Sequence, residues 1–553
     1  PRPPNMASAS PPDGSSVNPA TPAKTHHPPI PLWKLVTSQS AFTPDVLEHT
    51  FPGSGTPEDP YRVEWIPDDS RNPLIMPQWI KWMITIIQAF AFLSITFASS
   101  AMSATDPQLE EHFGASSTLV IADTSLFILA FAIGPAVWAP LSELYGRQVV
   151  CMLTYALATL FSGAVIASKN IATVLVLRFF SGAFGASAIT NSGGVVSDMF
   201  TARDRAVAML AFIGAPFLGP SIAPIACNYL AVAAGWQWVA ALITFFVGAA
   251  FVGVLFVPET YHPVLLRRRA AKLSKITGKV YKSKLDDGTK TPAVVFNTAM
   301  VRPWALLFRE PIVLFLSLYM AIIYGTMYME FAAFPIVFIG SRGWSQANSG
   351  LSFVGMGIGQ IIGVVISYFD NTRYKRVIDR LPEDTTVAPP EARLFPSLIG
   401  AVLLPIALFE FAWTNYPSIH WIACQIGTVG LGISHVLIFL SVANYLVDTY
   451  TLYAASALAA NTIIRALFGA AFPLFTTPMY NSLGIHWGSS IPAFLALVCA
   501  PFPYLFHTYG PRVRRHCRYA AESARILDVL HNKSNKAQEP SGSELAQTGE
   551  KKV

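Results

Sequence analysis

The chain has 553 residues, of which 52% are hydrophobic and only 13% charged, with a formal net charge of +6 and a mean hydropathy of +0.44. A water-soluble protein carries about 25% charged residues, so lipid must solvate most of this surface. Five cysteines with no CxxC pair give no disulfide framework and no zinc site.

Residues 1–75 are polar, rich in Pro and Ser, and hold no signal-peptide pattern. They read as a cytoplasmic tail, largely disordered. Segments 55–65 and 68–73 form an ordered lead-in, with Trp79 and Trp82 as interface anchors. Apolar stretches of about 20 residues, enough to cross a bilayer, then fall near 80–103, 117–139, 149–168, 171–197, 206–230 and 235–257. A basic, interrupted segment occupies 262–308. Six more spans lie near 311–338, 347–369, 395–414, 418–441, 453–476 and 485–507, and a polar tail closes the chain. The expected fold is an all-α membrane protein with twelve transmembrane helices in two six-helix halves, 76–261 and 309–510. The basic central loop 262–308 joins them, and 511–553 is a second tail.

Lys and Arg cluster after spans two (Arg147), four (Arg203, Arg205), six (Arg267, Arg268, Arg269, Lys272, Lys275), eight (Arg373, Lys375, Arg376, Arg380) and twelve (Arg512, Arg514, Arg515, Arg518). By the positive-inside rule both termini are cytoplasmic. The central basic run would face the anionic inner leaflet and not a nucleic acid. Span five carries Gly214, Pro216, Gly219, Pro220 and Pro224. Lipid tolerates such a helix only where neighbouring helices cover its freed backbone, so it should be bent and packed centrally.

Ionisable groups in lipid cost about 2.5–3.5 kcal/mol each on insertion scales, so those present usually face a cavity or a partner. Arg178, Arg465, Asp123 and Glu330 qualify. Glu330 is a candidate proton carrier, or a carboxyl held by a neighbouring helix; Asp123 carries the same alternatives. The first span, 81–103, has no acidic residue. Arg178 and Arg465 in one cavity could hold a carboxylate, or each could tie helices together. Tyr324, Tyr328 and Phe331 share one helix face, suiting flat amphipathic molecules or ordinary packing. Glu330 lies well round the helix from that stripe. Gln88, Gln360 and Asn461 are further candidate cavity donors. There is no Walker loop, nucleophile triad or metal-spaced cluster, so neither an ATP-driven pump nor an enzyme is indicated, and no cofactor.

Ala139-Pro-Leu-Ser-Glu143-Leu-Tyr-Gly146-Arg147, after span two, resembles the loop signature G-x-L-a-D-r-x-G-r-k of the major facilitator superfamily. Glu143, Gly146 and Arg147 match; Ala139, Leu144 and Gln148 depart. Arg178-Phe-Phe-Ser-Gly182 is similar to the superfamily's R-x-x-x-G element, and Gly214, Gly219 and Pro220 to its antiporter element, with Ala223, Cys227 and Asn228 where glycines are usual. The segments 258–270 and 445–461 look like the fungal twelve-span drug:proton antiporters. The resemblance implies a proton-coupled exporter of small organic compounds, drugs or secondary metabolites, in which Glu143–Arg147 gates, Arg178 serves proton coupling and the Gly-Pro helix is a hinge. Its partners would be a small organic substrate, protons and the bilayer, with the chain monomeric in the plasma membrane or, alternatively, the vacuolar membrane. An organic-acid exporter or exchanger built on Arg178 and Arg465 is the second reading. A non-transporting membrane sensor is a third; the short tails hold no recognisable signalling domain.

Overall fold

In lipid a helix satisfies its own backbone hydrogen bonds, and the apolar stretches all adopt it. The computed structural model describes residues 30–284, 291–380 and 389–526; the parts of the expected tails at 1–29 and 527–553 lie outside the described residues. Among the described residues, eleven segments are long and apolar enough to cross a membrane. The first six are Gln78–Phe113, Ser117–Tyr145, Arg147–Val165, Ile171–Met199, Ala208–Ala234 and Trp236–Val254. The next four are Pro311–Ser341, Gln346–Asp379, Pro390–Trp413 and Trp421–Thr449. The last, Thr451–His516, has 66 residues. At about 1.5 Å per residue it is about three times the thickness of the hydrocarbon core. Gly484, at φ 77° and ψ 168°, breaks it into two lengths that each suffice for a crossing, hereafter the eleventh and twelfth spans.

Each half has its own apolar core. One includes Ile95, Phe127, Tyr155 and Val239; the other includes Leu316, Leu404, Ile438 and Ala496. A third cluster lies on the seam, where Ile128 and Phe217 of the first half meet Tyr328, Phe334, Phe353 and Met356 of the second. The halves touch chiefly along the fifth span against the eighth and the second against the eleventh. The fifth span is one continuous helix, Ala202–Ala234, through Pro216, Pro220 and Pro224. Pro224 leaves the Pro220 carbonyl without its ladder donor, and Ser100 Oγ of the first span donates to it at 3.5 Å. A Cβ on Gly219 would strike the first span at Thr96 Oγ1 and at the Phe97 amide N, 2.8 Å away; one on Gly214 would press Val364 of the eighth span at 3.1 Å. The helix is therefore wedged between the halves.

The eighth and tenth spans approach by glycine. A Cβ on Gly359 would strike the Val429 carbonyl, and one on Gly432 the Met356 carbonyl. Without an aqueous driving force between helices, close backbone approach supplies the dispersion contacts that hold them.

The tail expected to be largely disordered is folded from residue 30 onward. Leu35, in the helix Leu32–Thr37, buries with Ile80, Ile84, Val195 and Phe212 of the first, fourth and fifth spans. Strand β1 (Tyr61–Val63) pairs in parallel with β2 (Tyr281–Ser283), Tyr61 beside Tyr281. The central segment is likewise not an extended loop: it contains the helices His262–Thr277 and Pro292–Arg309. Apolar residues scattered through polar sequence explain both corrections, since Val46, Phe51 and Val63 bury with Leu266, Ala270 and Leu273. Asp69 and Arg269, both buried, pair beside them at 2.5 and 3.2 Å.

Gly359→Ala should lower thermal stability in detergent by about 1–3 kcal/mol, the usual cost of overpacking. Gly340→Ala, where a Cβ meets nothing within 4 Å, should leave the melting temperature unchanged. Equal melting of the two variants would disprove the close approach.

Candidate functional site

Two polar constellations stand out, one at the end of the bundle that carries the folded tail and one on the seam. The first centres on a residue that sequence reasoning did not single out, Glu259. Its side chain is fully buried. Oε1 accepts the N–H groups of Arg147 (3.0 Å), Thr260 (3.0 Å) and Tyr261 (2.9 Å), and Oε2 accepts that of Gln148 (3.2 Å). The third span, whose helix starts at Arg147, thus has two of its orphan N-terminal donors capped by a carboxylate from the end of the sixth. Gly146 makes room: its φ is 104°, and a Cβ there would collide with Glu259 Oε2.

Arg147 points back into the same network. Nη1 donates to Ser142 Oγ at 2.8 Å, Nε approaches Asp198 at 3.4 Å, and the guanidinium lies 4.8 Å from the Tyr261 ring centroid. Arg71 of the tail donates both Nη groups to the Glu259 carbonyl at 3.2 Å. Burial lowers its pKa to about 10, which leaves it cationic at neutral pH. Glu143, the loop acid singled out from sequence, is exposed, and the carboxylate at Gly146 is Glu259. Arg267 and Arg268 donate to the carbonyls of Leu144 and Tyr145 at 2.5 and 3.0 Å. The expectation that the whole basic run faces lipid is corrected at Arg269, which is buried against Asp69; Arg267 and Arg268 each place one N–H on a carbonyl and remain at least partly exposed. Glu259 lies in the segment 258–270 that carries the family resemblance, but no partner for that carboxyl was legible, because nothing in the linear order sets it beside Arg147.

On the seam, Arg465 is 6% exposed and lies between two rings, 4.6 Å from the Tyr324 centroid and 4.7 Å from that of Phe439. No carboxylate pairs with it among the described residues. Phe439 in turn meets Phe217 of the first half at 5.0 Å. Tyr328 reaches across to Ser99 at 2.8 Å, and Tyr324 donates to Tyr328 at 3.5 Å. Phe331 stacks on Phe353 at 5.1 Å and belongs to the seam's apolar packing.

Arg178 and Arg465 do not form a clamp. Arg178 Nε lies 3.1 Å from both Asp123 oxygens, Nη1 donates to the Ala98 carbonyl at 2.8 Å, and the Phe127 centroid is 4.3 Å away. The pair joins the first, second and fourth spans inside one half. Glu330, 2% exposed, has no hydrogen-bond partner on either carboxyl oxygen among the described residues. Gln360 Oε1 accepts from Ser221 across the seam at 2.9 Å, while its Nε2 is unpartnered. Asn461 is turned into its own half, donating to Ser317 Oγ and Met320 Sδ at 3.3 Å.

Gln88 is fully buried with both amide atoms unpartnered. A Cβ on Gly185 would lie 3.0 Å from Ile95. Asn191 of the fourth span, also buried, likewise has both amide atoms unpartnered among the described residues. Sequence reasoning missed Asn191 and the buried His435, both of whose ring nitrogens lack a partner.

The family model described as the Major Facilitator Superfamily matches residues 84–473. The chain belongs to the major facilitator superfamily. A relative described as a "Major facilitator superfamily multidrug transporter", mdrA of Aspergillus fumigatus, is 51% identical over 518 residues, covering 93% of this chain and 85% of its own. An "Ascochitine biosynthesis cluster MFS transporter" of Didymella fabae is 37% identical, covering 89% and 95%. Among solved structures, the proton:xylose symporter XylE shares the fold with a TM-score of 0.57 at 16% identity, over 78% of this chain and 97% of that one. The superfamily's fold is that of a multi-pass membrane transporter, and the two bundles and their seam described above are this chain's version of it.

Glu259→Gln keeps the side chain's size but replaces a charged acceptor of four N–H groups. It should cost about 1.5–3 kcal/mol of stability, the range for hydrogen bonds to a charged group, read as a lower melting temperature in detergent. Glu143→Gln, on an exposed side chain, should change stability by less than about 0.5 kcal/mol. Similar losses in both would remove Glu259 from the centre of this network.

Proposed function

We propose that this chain is a secondary active exporter of small organic compounds, drugs or secondary metabolites, driven by proton exchange and not by enzymatic chemistry. The observation that carries the reading is Arg465: a guanidinium buried on the seam between two aromatic rings, with no carboxylate partner among the described residues. A cation there costs free energy in lipid unless something compensates. The Tyr324 and Phe439 faces supply part of the compensation, about 2 kcal/mol or more for a desolvated contact. A planar cargo with an electron-rich or anionic group would supply the rest. The described relatives, one of them named a multidrug transporter and one a biosynthesis-cluster transporter, support cargo of this kind.

The hydrogen bonds between halves among the described residues are Ser99–Tyr328, Ser221–Gln360, Tyr229–Asn348 and Gln346 to the Ala104 carbonyl. All lie from mid-depth outward, away from the folded tail. With the tails in the cytoplasm, as the Lys and Arg distribution indicates, this arrangement favours a site reached from the cytoplasm and closed to the outside. The plasma membrane suits such an exporter, and a single chain holds both halves and the seam. Proton exchange falls to Glu330, which can gain or lose a proton without breaking an ion pair. Protonating Asp123 would instead release Arg178.

The organic-acid reading is favoured by the same free guanidinium, now resting on Arg465 alone, since Asp123 holds Arg178. In vesicles containing the purified protein, flux should rise with an imposed pH gradient. Flux unchanged on collapsing the gradient would refute antiport. Glu330→Gln should abolish the gradient dependence; a wild-type pH response would return Glu330 to a packing role. Arg465→Gln should lower flux of an anionic aromatic substrate about tenfold or more relative to a neutral one, from about 1.5–3 kcal/mol per charge-assisted contact. Equal losses would favour a purely structural arginine.

A further inference from the structure

Away from the seam, on the tail-bearing end, lies a groove of about 890 Å³. One wall is the tail segment 36–40. A second is the start of the third span, at Gln148, Val149 and Met152. The third is the helix His262–Thr277, which presents Arg268, Lys272 and Lys275. These three cations are spaced i, i+4, i+7, on one helix face. Arg268 donates to the Tyr145 carbonyl, and Lys272 donates to the Ser40 carbonyl at 3.1 Å and lies over the Phe42 ring. No carboxylate pairs with any of the three among the described residues. The neighbouring Arg269 points to the other side of the helix, where Asp69 neutralises it. The groove thus concentrates three positive charges that no carboxylate among the described residues neutralises.

The groove also opens onto lipid. From its floor the outer face of the third span continues through Val149 and Leu153, 43% and 54% exposed, and that of the sixth through Val252 and Phe256, 53% and 58% exposed. A ligand seated here meets cations and backbone polar groups at one end and an apolar wall at the other. We propose that this groove binds an anionic phospholipid of the tail-side leaflet, its phosphates on Arg268, Lys272 and Lys275 and its acyl chains along the third and sixth spans. Three cations exceed the single charge of a phosphodiester, so the fitting headgroup carries at least one further phosphomonoester. Because Gln39 in one wall donates to Gln148 Oε1 at 2.7 Å, and Gln148 is held by Glu259, a lipid in the groove bridges the tail to the start of the third span. This site is independent of the transported cargo.

The test uses the purified full chain with vesicles of phosphatidylcholine alone, with added phosphatidylserine, and with added phosphorylated phosphatidylinositol, alongside soluble inositol phosphate as competitor. The phosphorylated lipid should bind most tightly. Lys275→Gln should weaken it about fivefold and Lys272→Gln with Lys275→Gln about 25-fold, from about 1 kcal/mol per basic residue at a membrane surface. Lys279→Gln, on an exposed residue beside Tyr61 and outside the groove, should have no effect. Lys275 is itself exposed, so its variant keeps the fold, checked by an unchanged melting temperature. Equal weakening by Lys279→Gln would replace the groove with diffuse attraction. Soluble inositol phosphate competing as tightly as the lipid would overturn the lipid assignment, and binding no tighter than to phosphatidylcholine would overturn the site.

Discussion

Four backbone N–H groups converge on one buried carboxylate, that of Glu259. A carboxylate shut away from water is tolerable only when its lone pairs are met by donors, and here they are met almost entirely by main chain. That choice has consequences. Donors from the third span and from the end of the sixth are brought to one point, so two helices distant in sequence share an end. Arg71 then takes the Glu259 carbonyl and Asp69 takes Arg269, which fixes the tail over the central helix. The turn after the second span must pass without a side chain at Gly146. One charge thus organises the whole tail-bearing end of the first half.

Inside the bilayer the ordering constraint is different. Apolar side chains gain little from leaving lipid, so helices are held by closeness and by satisfied polar groups. The eighth and tenth spans meet through Gly359 and Gly432, and the fifth meets the first through Gly219. The seam between halves, by contrast, is lined with larger residues: Phe217, Phe439, Tyr324, Tyr328 and Phe353. Glycine brings backbone close across the seam as well, at Gly350, where a Cβ would strike the Pro224 carbonyl of the fifth span, so the seam combines one tight approach at the end away from the tail with bulkier aromatic contacts further in.

The spans were legible because apolar runs of bilayer length are almost the only way a chain of this composition can be solvated. The break at Gly484 was legible only as a gap between two runs; the helix continues on both sides of it. Side-chain depth could be read along each span, but rotation about the helix axis could not. Arg178 and Asp123 were both singled out as ionisable groups within spans, yet nothing in the linear order joined them. Asn461 was placed at a cavity and faces its own half. The folded tail was hidden for another reason: its apolar residues, such as Leu35, Val46 and Phe51, are isolated in polar sequence, and many of their partners, Val195 and Phe212 for Leu35 and Leu266 and Leu273 for the other two, lie more than a hundred residues away. Arg269 was assigned to lipid because charge pattern alone cannot reveal a buried aspartate opposite.

The contrast between Arg178 and Arg465 bears on cargo more than any other pair of residues here. Both are buried guanidiniums in apolar helices, 2% and 6% exposed. Arg178 has a carboxylate, a carbonyl and a ring, so its first half would lose an ion pair and a hydrogen bond if an anion displaced those partners. Among the described residues Arg465 has the Tyr324 and Phe439 rings and no carboxylate. Aromatic faces attract a cation without using its N–H donors directionally, so the guanidinium keeps its fork of donors while its charge is partly offset. Under the proposed function, a group in that state would discriminate by chemistry: it would gain most from a planar acceptor that slides between the same rings, little from an alkane, and it would repel a cation. On that reading the two arginines differ in kind: Arg178 ties three spans of one half together, and Arg465 is the one left to meet cargo.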